Sequence, residues 1–100
     1  MSFAVQRRGG RKVVAIECRV EGVTAPMRLS DLGLGGGYID TPAQVAAGDH
    51  IKVVFVLGDQ EVTCPARVAH VQPSIGFGFA FLGAQLSDDA RVAIETFVNS

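Results

Sequence analysis

Two arginines four residues apart, Arg7 and Arg11, bracket Arg8, Gly9 and Gly10 in a segment that holds no acid. A guanidinium is a planar fork of N–H donors that matches phosphate oxygens, and its face stacks on a nucleobase. The glycine pair lets the segment curl so that both forks converge on one anion. A solvated basic tail would carry the same residues, so spacing alone leaves both readings open. A second element is Asp31, followed by Leu32-Gly33-Leu34-Gly35-Gly36-Gly37. A carboxylate at a strand end can accept from the adjacent N–H groups of a guanine edge, and glycines let a ligand approach backbone donors closely. A plain glycine-rich turn is the competing reading. The Lys-Ser/Thr of a phosphate-binding loop is missing, which disfavours a nucleoside triphosphate. A third element is Gly76, Gly78 and Ala80. They alternate with Phe77, Phe79 and Phe81 and would leave a flat strip for a planar ring, or merely relieve curvature at a barrel corner.

The rest of the chain must position these groups. Its 100 residues are 48% hydrophobic with a net charge of -1, which fits one folded domain and argues against disorder. The charge is unevenly placed. Residues 1–12 carry +4 (Arg7, Arg8, Arg11, Lys12) and the remainder -5. The near-neutral total excludes bulk affinity for a nucleic-acid polymer, yet it hides a basic arm, residues 1–12.

From Val13 the pattern has period two, with Val14, Ile16, Cys18 and Val20 on one face. Further strands are expected at about 25–31 (Met27 and Leu29 inward, Arg28 and Ser30 outward), 38–40, 50–57, 61–71 and 75–81. Gly58-Asp59 makes a hairpin turn, and residues 33–37 form a loop that takes positive φ at several positions. Pro65 marks a bulge or an unpaired position. Ser87 caps a helix over about 87–98, whose Ala90, Ala93, Ile94, Phe97 and Val98 make one apolar stripe that must dock on an open end of the β structure. The fold class is therefore all-β: a small six-stranded antiparallel barrel, residues 13–100, with a C-terminal helix. Side chains fill so small a barrel, so a binding site belongs on its outside.

Catalysis is not expected. His50 and His70 read as partly exposed strand residues without metal-like spacing, and no nucleophile, zinc or phosphate-loop motif occurs. No exposed aromatic pair is expected at strand centres, which argues against a polymer-binding barrel. Cys18 and Cys64 read as reduced core residues of a cytoplasmic protein, given an N-terminus without an apolar signal segment. No apolar run is long enough for membrane insertion.

Taken together, these features resemble the PilZ domain family. Arg7-Arg8-Gly9-Gly10-Arg11 is similar to its R-x-x-x-R element, and Asp31-Leu32-Gly33-Leu34-Gly35-Gly36 to its [D/N]-x-S-x-x-G element, matching at Asp31 and Gly36. The departure is Gly33, where the family pattern has Ser. The resemblance implies a non-catalytic bacterial receptor for the second messenger cyclic di-GMP, with no cofactor. It implies that Arg7 and Arg11 grip phosphate and guanine edges, that Arg8 adds charge, and that Asp31 reads a guanine. Gly33, Gly35 and Gly36 would give close backbone approach, beside the strip at Gly76 and Gly78. It also implies an arm that is mobile when free and ordered when bound, a downstream protein partner, and a ligand that commonly binds as an intercalated dimer. The alternative is a degenerate adaptor of the same family that has lost the ligand and acts by protein contacts.

Overall fold

The computed structural model describes residues 11–100. Six strands form a closed antiparallel barrel: β1 (Lys12–Val20), β2 (Arg28–Leu32), β3 (Gly36–Asp40), β4 (His50–Leu57), β5 (Gln60–Gln72) and β6 (Gly76–Phe81). Their order around the barrel is β1-β2-β3-β6-β5-β4, with β4 returning to β1. A 3₁₀ turn (Gly83–Gln85) leads to a helix, α1 (Asp88–Val98). Ser87 caps α1 by accepting from the Ala90 N–H at 3.1 Å, and Asp88 and Asp89 sit at the positive end of its dipole.

The alternation read from β1 holds, with Val14, Ile16, Cys18 and Val20 turned inward. Leu29, Leu32, Ile39, Val53, Val68 and Phe77 are fully buried at the centre of the barrel. Ala90, Ile94 and Val98 of α1 join that same core. The helix lies on β4 and β5 and so covers the barrel end where β1 begins and β2 finishes. Burial of this stripe stabilises a helix too short to persist alone. Lys12 ties the two together: its Nζ donates to the Ser100 backbone oxygen and Oγ, both at 3.0 Å, and sits 5.0 Å from the Phe97 ring centroid.

The structure moves several boundaries. β2 begins at Arg28, two residues past Pro26. Gly36 and Gly37 belong to β3, which shortens the loop to 33–35, and of the glycines in 33–37 only Gly36 has a positive φ. Ile75 lies in the turn and is exposed. Pro65 is paired with Lys52 across β4 and is not a bulge. Its carbonyl accepts from Leu82 N–H at 2.9 Å, just beyond the β5–β6 ladder, so its missing N–H faces a side where no strand continues. The bulge in β5 is at Ala69, between Val68 and His70.

Candidate functional site

The site is set by a bulge in β2. Leu29 and Leu32 both point into the core, and between them stand two residues, Ser30 and Asp31, opposite only one on β3. Strict alternation outward at Ser30 would turn Asp31 into the core; the extra residue turns it to the outer surface. There it meets Arg11, whose Nη2 lies 2.9 Å from Asp31 Oδ1. Both side chains remain partly open to solvent, at 47% and 34%. The Oδ1 atom itself is buried, and the guanidinium reaches it as an ion pair without completing a hydrogen bond of good angle. A donor from outside reaches that oxygen only if the groups around it move.

The adjoining loop is a closed turn. Gly33 N–H donates to Gly36 O at 2.8 Å, and Phe81 N–H to Gly35 O at 2.9 Å. The Gly33 N–H is therefore already committed and is not available to a phosphate. Gly36 and Gly37 allow close strand approach: a Cβ on Gly36 would run into the Phe79 carbonyl of β6, and one on Gly37 into the Asp31 carbonyl of β2. Gly33 is buried beneath the Arg11 side chain, while Gly35 and Leu34 are exposed.

Across the ladders, Val13, Asp31, Tyr38, Gly78 and His70 form one row on the outer face. The expected strip over Gly76 and Gly78 is present as backbone, but it is not bare. The Tyr38 side chain lies over Gly76 and the His70 imidazole over Gly78, close enough that a Cβ at either glycine would collide. The two rings sit 6.1 Å apart with 36° between their planes, and Tyr38 Oη donates to Gln72 Oε1. The glycines thus seat two rings, and the surface offered beside Asp31 is aromatic. The expectation of no exposed ring pair overlooked this because it considered each histidine alone; the Gly-x-Gly facing Tyr38 was the available signal.

Of the residues named from the sequence, Arg11, Asp31, Gly33, Gly35 and Gly36 are gathered at one corner, with Gly78 and then Gly76 further along the same face. Arg7 and Arg8 lie outside the described residues. Among the described residues, no three His, Cys, Asp or Glu side chains converge as metal ligands, and no helix is long and apolar enough to cross a membrane. Burial pushes the Cys64 thiol up to about 12; burial, with Asp40 adding to it, pushes Cys18 up to about 11. Neither thiol is prepared for nucleophilic chemistry.

The described residues form a six-stranded barrel with a C-terminal helix, and an arginine and a carboxylate meet on its outer surface. The family model described as PilZ domain matches residues 6–100, and the chain belongs to that family. Among solved structures, the crystal structure of the PilZ domain of CeSA from a cellulose synthesizing bacterium is similar, with a TM-score of 0.67. It has 18% sequence identity and covers 89% of this chain and 94% of its own. No curated protein matches the chain.

Proposed function

We propose that this domain is a non-catalytic receptor that binds cyclic di-GMP on the outside of the barrel. The observation that carries the reading is the meeting of Arg11 with Asp31 at 2.9 Å beside the glycine turn. Asp31 supplies an acceptor for the guanine N1–H and N2–H, and Arg11 supplies donors for a phosphate or a guanine edge. Arg7 and Arg8 complete the positive charge. Gly35 and Gly36 keep their part of the turn free of side chains, and the Tyr38 and His70 rings over Gly76 and Gly78 give an aromatic surface for a base. Ligand would fix the arm's position against the barrel and so alter the surface seen by a downstream protein partner, from within the cytoplasm.

Gly33 favours a second reading. The family pattern has a Ser there, and its absence removes a hydroxyl, so the domain would be an adaptor acting only through protein contacts. Calorimetric titration with cyclic di-GMP separates the two. Saturable heat that disappears in Arg7→Ala and in Arg11→Ala supports the receptor. No heat and no amide shifts with excess ligand make the adaptor the function.

A further inference from the structure

Gly33 has no backbone reason to be glycine. Its φ is not positive, and it lies in an ordinary part of the turn. What it does lack is room. A Cβ placed there would stand 2.8 Å from Arg11 Cγ, 3.4 Å from Arg11 Nη1 and 3.5 Å from Arg11 Cα. All three contacts are to one residue, and the nearest is to the root of its side chain, not its mobile tip. The volume that a side chain at 33 would fill is occupied by the aliphatic part of Arg11. Gly33 is buried.

We propose that Gly33 is a positioning residue: by giving up its side chain it lets Arg11 fold across the turn onto Asp31, so that the site is latched by its own arginine. This rests on the receptor reading for its consequence. Arg11 Nη2 and Asp31 Oδ1 are the donor and the acceptor that an anionic, guanine-bearing ligand would need, and in this structure they are engaged with each other. Such a ligand must first separate them. The pair is partly exposed, so the latch costs the ligand only a small factor, about two- to five-fold in affinity. A side chain at 33, whether or not it carries a hydroxyl, would push Arg11 away and leave Asp31 open.

The test is Gly33→Ala beside Gly33→Ser. Alanine adds volume without a donor or acceptor, so it separates displacement of Arg11 from a gained hydrogen bond. In the free protein, the Arg11 Nε–Hε resonance should shift from its fixed, ion-paired position toward that of a solvated arginine in both variants. Amides remote from 11 and 31–37 should stay in place, which confirms the fold. Cyclic di-GMP should then bind both variants about two- to five-fold more tightly than the parent chain. An unmoved Arg11 resonance in Gly33→Ala overturns the proposal, as does a displaced Arg11 with unchanged or weaker binding. Tightening in Gly33→Ser alone assigns the effect to the hydroxyl and also overturns it. If no form of the chain binds, the receptor reading fails, while the Arg11 resonance still decides whether Gly33 positions the arginine.

Discussion

Asp31 faces Tyr38 directly across the β2–β3 ladder, on the outer surface, because β2 places Ser30 and Asp31 where β3 places one residue. The carboxylate is thereby aligned with the ring pair Tyr38–His70 on one side and with Val13 and Arg11 on the other. Replacing the charge should test function far more than stability. Asp31→Ala and Arg11→Ala each break an ion pair that is partly exposed, so unfolding free energy should fall by no more than about 1 kcal/mol. Affinity for cyclic di-GMP should fall by at least about ten-fold, since a hydrogen bond to a charged group contributes roughly 1.5–3 kcal/mol. Urea unfolding and calorimetry on the same samples check both halves. A large loss of stability with intact binding would reverse the assignment.

The ring pair gives a second expectation. His70→Ala and Tyr38→Ala should weaken cyclic di-GMP by about two- to ten-fold if a base packs on that face, in line with the roughly 0.5–1.5 kcal/mol of an aromatic contact. Tyr38→Phe removes only the hydroxyl that donates to Gln72 and should bind nearly as the parent does. Equal losses in Tyr38→Phe and Tyr38→Ala would point to the hydroxyl instead of the ring face.

Much of the barrel was legible because period-two burial is written along β1 and the first part of β5. Val14 to Val20, the helix stripe and the Ser87 cap all follow from local spacing. What was hidden depends on pairing between strands. The bulge at Ser30-Asp31 has no local signature, yet it alone decides that Asp31 faces outward. The Gly76-x-Gly78 pattern announced close approach but not by what; only the register with Tyr38 and His70 answers that. Gly33 looked like one more flexible loop glycine, and its use appears only when Arg11 is seen lying across it.

The glycines of the turn should accordingly differ. At Gly35 a Cβ would meet nothing within 4 Å, and φ is not positive. Gly35→Ala should therefore be neutral or stabilise by about 0.4–1 kcal/mol through the unfolded chain. Gly37→Ala would press a methyl against the Asp31 carbonyl and the Phe79 ring, with Phe79 Cζ at 3.1 Å. It should destabilise by about 1–3 kcal/mol through overpacking. Thermal unfolding should separate the two by several degrees, about 4–8 °C per kcal/mol for a domain of this size. A Gly37→Ala protein as stable as the parent would show that the β2–β3 approach is looser than described.

Lys12 links the first strand to the end of α1 through Ser100 and Phe97. Its contacts are exposed, so Lys12→Ala should cost about 0.5–1 kcal/mol, the range of a surface cation over a ring. The loss should be local: amide exchange at 97–99 should accelerate while the core strands keep their protection. Uniform acceleration across the barrel would mean that the contact holds the whole fold and not the helix end.

The buried thiols set the alkaline limit. Folding raises Cys64 from its ordinary value of 9.0 to about 12 and Cys18 to about 11, so the native state holds both protons more tightly than the unfolded chain. The stability contributed by this difference is complete below about pH 9 and declines as pH rises through 9 toward 11 and 12. Denaturant midpoints should therefore be insensitive to these thiols at pH 7–8 and fall above pH 9 (ordinary thiol pKa 9.0). A Cys64→Val variant should fall less steeply there, since it has no thiolate to expose. At pH 8 a thiol-specific disulfide reagent should react slowly with the folded protein, with half-buried Cys18 ahead of fully buried Cys64, and quickly with both after unfolding. Rapid labelling of Cys64 in the native protein would show that the barrel opens far more readily than its packing implies.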